Sequence, residues 1–485
     1  MRLIHSHLRV GRVLLGAAAL AVALSTCATN PVTGKKELSF VSESQEISMG
    51  REYAGQVSQE MGVYADSSVQ SYVSGLGREL AAGTERPRLP WTFTVMDDPQ
   101  VNAFALPGGY VFITRGIMTH MNSEAELATV VGHEIGHVTA RHSVQQMTRQ
   151  QLAQIGLMAG AIASEKIAQN LGAISQGLGV LFLKYSRDDE SQADGLGFRY
   201  ALNDGYDVRH MVDMFQILQR VTASAGQRIP EWQSTHPDPG NRIEATEARL
   251  ARVTVPLDGK KVRREEFLKQ IDGMVFGDNP RQGFFKGTSF LHPDLAFQLD
   301  FPAGWKTANQ PQAVLGVSDK QDAQAQLALA GQTAPAEALR QFLGQQGVTA
   351  GRTDQSPING NSAARGTFTA QTQDGTQLAG EVAFLSYGGA TYQLLGITTG
   401  AGWRAYAGVF DQFIGSFRRL TDPAALNVRP NRVSVVKVPR AMTLADFNRQ
   451  YPSVIEIDKL ALINGLADGD AKLAQGDLVK RVVTR

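Results

Sequence analysis

The sequence predicts an α+β chain of several folded units, and three observations carry that prediction. Helical periodicity fills most of the first 255 residues, few strand-like runs interrupt it, and the texture becomes strand-rich after Val255. A length of 485 residues also exceeds what one hydrophobic core supports. With 43% hydrophobic and 19% charged residues, the composition is that of globular protein and excludes a disordered chain or a multi-span membrane protein. The formal charge is +1 and no Lys/Arg-dense face lies beside aromatic residues, so nucleic acid is excluded as a partner.

Residues 1–26 read as an export signal. Arg2, Arg9 and Arg12 precede an apolar run from Val13 to Leu24 that is too short to span a bilayer. Leu24-Ser25-Thr26-Cys27 resembles a bacterial lipobox, with Thr26 a departure from the usual small residue. The resemblance implies cleavage before Cys27 and lipid on its thiol; the alternative is an ordinary secretory peptide with an incidental cysteine. Cys27 is the only cysteine, so no intramolecular disulfide exists. Removing the signal removes three arginines and no acid, which takes the formal charge to −2. Ala28 after the lipid site implies a periplasmic protein anchored to the outer membrane.

Residues 27–255 form the first expected domain. Apolar positions such as Ile47, Val57, Val69, Val73 and Leu76 give residues 37–86 a helical pattern, closed by Pro87 and Pro90. Strands are expected at 91–96 and, after the turn-forming Pro107-Gly108-Gly109, at 110–114. Ser123 is an N-cap, with Glu124 and Glu126 in the first turn of a helix running to about residue 141. Further helices are expected at 165–183, 188–203, 208–223 and 242–252. Residues 256–287 read as a linker. Residues 288–420 read as an α+β accessory domain that loosely resembles PsbP-like domains, with strands at 296–301, 326–330, 364–370, 378–387 and 391–398 and helices at 336–345 and 403–417. Residues 430–485 resemble a degenerate LysM module that lacks the usual Gly-Asp-Thr after its first strand.

The chemistry-bearing stretch is His133-Glu134-Ile135-Gly136-His137. Residues four apart share a helix face, so both imidazoles can meet one metal ion while Glu134 turns aside toward a water molecule. That pattern points to a metal-dependent hydrolase, in which zinc takes three protein ligands and keeps one position open. A metzincin is excluded, because Ser143 stands where its third His belongs and Ala140 where it needs Gly. His142, on a continuing helix, would lie about 180° from His133 and reads as a surface residue or an outer support of the site. An acid from a second helix is then required. Glu190 supplies it, 53 residues after His137, and Asp194 four positions further shares its face and can accept the outer N–H of a ligand imidazole. Taken alone, a Glu in so charged a helix would be a solvated residue.

Asn102-Ala103-Phe104-Ala105-Leu106-Pro107-Gly108-Gly109, the His-Glu-x-x-His helix, Ser186-Arg187 through Asp194, and Thr235-His236-Pro237 with Arg242 together resemble the metallopeptidase family of HtpX and the CaaX prenyl endopeptidases. The resemblance covers residues 30–252, and Asn30-Pro31-Val32-Thr33-Gly34 is similar to its soluble, exported lipoprotein branch, which includes β-barrel assembly-enhancing proteases. The tetratricopeptide repeats of those proteases are missing here. The resemblance implies a mainly helical gluzincin-type domain with a small sheet, one Zn2+ on His133, His137 and Glu190, and Glu134 as general base. It makes His236 and Arg242 candidates for oxyanion stabilisation; His236 in the metal's open position, holding the enzyme silent, is the alternative, and a plain turn histidine is the third reading. Asn102 and Ala103 on an edge strand are candidate substrate contacts. Residues 152–163 are either a lid or a core helix. The function implied is a zinc-dependent metalloendopeptidase acting on misfolded or misassembled envelope proteins; the alternatives are an envelope assembly factor or chaperone, or a peptidoglycan-binding protein.

Overall fold

The computed structural model describes residues 27–163, 185–224, 236, 239–372 and 375–485, and of residues 27, 153–163, 239 and 240 the backbone alone. The export signal, the helix expected at 165–183 and the side chains that would decide between lid and core at 153–163 lie outside the described residues. The chain is mixed helix and sheet, and it divides into two compact units. The first gathers the described residues up to Ser58, then Val63–Gly277 and Arg432–Val483; the second is Gln59–Gly62, Asp278–Asn431 and the last two residues.

In the first unit, strands β1 (Cys27–Thr29) and β2 (Lys36–Leu38) pair antiparallel, and helices α1 (Glu43–Met61) and α2 (Ser67–Ala82) follow. Asp66 starts α2 by accepting the backbone N–H groups of Ser68 and Val69, and Val69, Val73, Leu76 and Leu80 bury one face of it. Strand β3 (Thr92–Met96) runs parallel to β5 (Tyr110–Thr114), which pairs antiparallel with β4 (Ala103–Leu106). The order β3-β5-β4 leaves β4 at an edge. Its first residue, Ala103, is one of the two expected on an edge strand; all four of its residues are buried, so no alternation marks its length.

Helices α3 (Arg115–His120) and α4 (Glu124–Thr139) come next. Ser123 caps α4 by accepting the N–H of Glu126 at 3.2 Å, while Glu126 accepts the N–H of Asn122 at 2.8 Å. All sixteen residues of α4 are buried, so it is the central rod of the unit. It ends where Arg141 adopts φ 60°, and α5 (His142–Ala163) sets off anew. The expected helix therefore stops short of residue 141, and His142 is not on its far side.

A buried network holds this end. Arg86 donates to Val138 O at 2.9 Å and bridges both oxygens of Glu46; Glu46 also accepts from Gly108 N in the β4–β5 turn. Asn30 donates to Ala140 O at 3.1 Å, which gives the Asn30-to-Gly34 stretch its physical role.

Helices α6 (Arg187–Asn203), α7 (His210–Ser224), α8 (Pro239–Leu250) and α9 (Arg264–Ile271) complete this part. Helix α9 lies inside the stretch expected as a linker, yet Phe267, Leu268 and Ile271 are fully buried in the core with Val73, Phe93, Ile135 and Phe215. The tail contributes strands Asn431–Lys437 and Leu478–Thr484, paired around helices Leu444–Gln450 and Ile457–Ile463. Most of it belongs to the first unit. Lys480 is fully buried and donates to Thr119 O at 3.0 Å and Met121 O at 2.5 Å, the carbonyls that close α3 just before the α4 cap.

His120 sits beside these carbonyls, its ring stacked on Phe276. Burial pushes its imidazole down to about 4, against a weaker opposing hydrogen bond to Gly116 O. The unfolded chain protonates this residue near 6.5 and the folded one resists, so the stability at stake is whole above pH 6.5 and is lost as pH falls toward 4. The loss amounts to about 3 kcal/mol. Urea melts of chelator-treated wild type and His120→Asn across that range should show a flatter pH dependence in the variant; parallel curves would contradict this account.

The second unit holds a seven-stranded antiparallel sheet ordered Val348–Asp354, Ala363–Gln371, Gln377–Tyr387, Ala390–Thr399, Ala323–Leu329, Ala313–Val317, Lys306–Asn309. Helix Pro335–Leu343 covers one face, where Ala338 and Leu339 meet Phe368 and Phe384. Helix Trp403–Gly415 and a four-stranded sheet enclose the other, with Phe413, Phe290 and Phe297 against Leu385 and Leu394. The edge strand Lys306–Asn309 escapes sequence reading because it is polar and wholly exposed. Among the described residues no helix is long and apolar enough to cross a membrane.

Candidate metal centre

Helices α4 and α6 approach backbone to backbone. A Cβ on Gly197 of α6 would lie 2.7 Å from the backbone nitrogen of His133, and one on Gly136 would lie 3.1 Å from Ala193 O. Ser186 fixes where α6 begins, through a capping box with Asp189. The close approach brings Glu190 and Asp194, one turn apart on α6, up to the two imidazoles of α4. Gly197→Ala should therefore force the helices apart at a cost of about 1–3 kcal/mol and lower zinc occupancy. Thermal melting and metal analysis check this; a variant unchanged in both would count against the packing argument.

His133, His137, Glu190 and His236 are buried, and each offers one ligand atom within 4.8 Å of the others. The Nε2 atoms of His133 and His137 are 3.0 Å apart. Glu190 Oε1 is 3.4 Å from His137 Nε2, and Oε2 is 3.6 Å from His133 Nε2. Asp194 Oδ1 lies 2.9 Å from His133 Nδ1, closer than the Arg242 terminal nitrogen at 3.2 Å, and this acceptor favours a hydrogen on Nδ1 and a bare lone pair on Nε2. Glu190 Oε2, Glu134 Oε2 and His236 Nε2 are buried without a hydrogen-bond partner among the described residues. Lone pairs that converge in this way repel one another unless a cation lies among them. The donor set, imidazole nitrogen plus carboxylate oxygen, fits zinc.

The electrostatics agree. Burial alone would raise Glu190, but His236, His137 and Arg242 hold it well below the carboxylate range. Asp194, also opposed by burial, is brought down to about 2 by Arg242 and His133. His236 is pushed up despite its burial because Glu190 and Glu134 face it, and burial drives His137 well down. The site thus favours an ionised Glu190 beside a neutral His137. Burial raises Glu134, and its Oε1 stands 3.7 Å from His236 Nε2.

His236 Nδ1 lies 2.9 Å from Glu190 Oε1 and 3.4 Å from His133 Nε2, so it stands among the ligand atoms. Arg242, expected as an oxyanion donor, directs Nε and one terminal nitrogen to Asp194 at 2.9 and 2.5 Å; its other terminal nitrogen is 3.4 Å from Glu190 Oε2. Its guanidinium also lies over the Phe215 ring at 4.4 Å. Asn102 is buried at the entry to β4, where its carbonyl accepts from Thr114, and Ala103 opens the strand opposite Ile113. Cys27 begins β1, opposite Leu38.

Three neighbours escaped the sequence reading in part or whole. Tyr185 stacks on the His137 ring at a centroid distance of 4.0 Å and bonds Ser143 through its hydroxyl. His142, 1% exposed, places Nδ1 at 2.9 Å from His137 Nδ1, and Gln192 Oε1 lies 3.0 Å from its Nε2. Sequence alone leaves His142 between a surface residue and an outer support of the site, because the helix break at Arg141 is not written locally. A second group, Glu126, His210 and Asp213, also gathers possible ligand atoms, but the helix N-termini of α4 and α7 and the nearby Lys480 ammonium make it a poor place for a cation.

Two histidines from one helix and a glutamate from a second thus form a group that could hold a metal ion in a domain of mixed helix and sheet. Residues 67–250 match Peptidase family M48, so this part of the chain is a metallopeptidase domain of that family. A β-barrel assembly-enhancing protease of Escherichia coli (strain K12) is 28% identical over 44% of this chain and 46% of its own. Mitochondrial metalloendopeptidase OMA1 of Arabidopsis thaliana is 29% identical over 43% and 41% respectively. The chain thus spans somewhat less than half the length of these relatives. A solution structure of cyanobacterial PsbP from Synechocystis sp. PCC 6803 aligns with 28% of this chain and 95% of its own at 10% identity, and its TM-score of 0.24 carries no argument.

Proposed function

We propose that the chain is a zinc-dependent metalloendopeptidase of a bacterial envelope, lipid-anchored through Cys27 to the periplasmic side of the outer membrane, which cleaves misfolded or misassembled envelope proteins. The observation that supports this most is the convergence of two bare imidazole nitrogens and the Glu190 carboxylate at one buried point, with Glu134 alongside and unpaired at Oε2. When bound there, zinc supplies a Lewis acid for the scissile carbonyl and lowers the pKa of water toward about 7. Glu134 takes a proton from the attacking water and passes it to the leaving amine, a role suited to a carboxyl that burial pushes up. Asp194 holds the His133 tautomer, and Arg242 holds Asp194 and Glu190 in place. The outer edge of β4, which begins at Ala103, offers main-chain groups to an extended substrate and would give loose sequence preference; the main chain of Asn102 is already paired with Thr114, so its part is to anchor the start of that strand. The assembly-enhancing relative lends support to envelope substrates by its name alone. Peptidoglycan is assigned to the LysM-like tail and is tested by co-sedimentation.

His236 is read as a fourth donor that closes the site, since its Nδ1 lies among the ligand atoms. Casein cleavage by the mature protein should stop with chelator and return with zinc. His236→Ala should keep its zinc and cleave faster, by the inverse of the fraction of enzyme that is open. A zinc-loaded, folded but inactive His236→Ala would instead make this residue an oxyanion donor.

A further inference from the structure

The two histidines of the motif are held from behind by different chemistry. His133 donates its Nδ1–H to a carboxylate, Asp194, the common arrangement for a metal-binding imidazole. Among the described residues His137 has no carboxylate there. Its Nδ1 faces His142 Nδ1 at 2.9 Å, and His142 Nε2 faces Gln192 Oε1 at 3.0 Å. The nearest carboxylate, Asp189, is 3.9 Å from His142 Nε2, too long for a hydrogen bond, and serves the α6 capping box.

An amide oxygen only accepts, so His142 Nε2 must carry a hydrogen. A neutral His142 then has a lone pair on Nδ1, which only a protonated His137 Nδ1 can satisfy. His137 Nε2 is thereby left bare, aimed at His133 and Glu190. Inverting the chain, with a donor in place of the Gln192 oxygen, would move a hydrogen onto His137 Nε2 and remove it from the ligand set.

We propose that His142 and Gln192 are positioning residues that set the tautomer and orientation of His137, through a neutral imidazole-amide relay where the other ligand histidine uses a carboxylate. Tyr185 fixes the plane of the same ring by stacking at 4.0 Å, so the relay and the stack together leave His137 one productive pose. This rests on the zinc-site reading above.

The test is the zinc dissociation constant of the full mature chain, read by competition with a chromophoric chelator and therefore independent of proteolysis. His142→Leu strands the His137 Nδ1–H and should weaken zinc by about 10–100-fold. Gln192→Lys, at a half-buried position that tolerates change, supplies a donor where an acceptor is needed and should weaken zinc comparably, while Gln192→Glu restores an acceptor and should bind as wild type or tighter. Circular dichroism and melting confirm that each is folded; if His142→Leu is not, the Gln192 pair decides. Zinc affinities of folded His142→Leu and Gln192→Lys within twofold of wild type would overturn the relay, as would equal weakening by Gln192→Lys and Gln192→Glu. Glu190→Ala is the control: if it weakens zinc and the relay variants do not, the relay alone fails, whereas a wild type that binds no zinc removes both readings.

Discussion

Glu134→Gln should keep its zinc and its fold yet lose about 10²–10⁴-fold in peptide hydrolysis. The reasoning starts from position. Glu134 follows His133 on α4, so its side chain leaves the helix at a different angle from both ligand imidazoles. It is buried, its Oε2 has no partner among the described residues, and its closest charged neighbour, His236, is 3.7 Å away. An amide of the same shape fills the same space and removes only the ability to take and return a proton. Turnover of a quenched peptide and metal content, measured on one preparation, separate chemistry from binding. Loss of zinc in the variant would make Glu134 a ligand; undiminished turnover would remove it from the reaction.

Asp194→Ala should cost about 3–5 kcal/mol of stability, because it strands a buried guanidinium. Arg242 is buried against Phe215 and makes its two shortest charge-assisted contacts to Asp194; its other polar contacts, to His133 Nδ1 at 3.2 Å and Glu190 Oε2 at 3.4 Å, are longer. The same change deprives His133 Nδ1–H of its acceptor, so zinc should weaken as well, by about 10–100-fold. Asp194 ionises at about 2 in the folded protein against 3.8 ordinarily, so its contribution is whole above pH 3.8 and fades as pH falls toward 2. At neutral pH the full cost should appear in denaturant melts of the metal-free protein. A variant within about 1 kcal/mol of wild type would mean that Arg242 finds another partner.

What was legible in the sequence followed from local rules. Ser123 followed by Glu124 and Glu126 marks the start of α4 because capping is local, and the His133–His137 spacing marks a shared face because a helix has a fixed pitch. Glu190 and Asp194 share a face of α6 for the same reason, a spacing of one helix turn. Strand β4, fully buried, and strand Lys306–Asn309, fully exposed, have no period-2 signal to read. The break at Arg141 rests on a left-handed residue other than glycine, held by contacts from Asn30 and Arg86 far off in the chain, and with it went the place of His142. The tail illustrates the same limit: its element order is written locally, but the burial of Lys480 against α3 depends on a contact with Thr119, 361 positions away in the chain.

Anomalous diffraction at the zinc edge from crystals of the mature, zinc-loaded protein tests the central claim most directly. One peak is expected, bonded to His133 Nε2, His137 Nε2 and a Glu190 oxygen at about 2.0–2.2 Å, and it should vanish in Glu190→Ala. A peak that stands elsewhere, or that survives loss of the Glu190 carboxylate at full occupancy, would contradict the account.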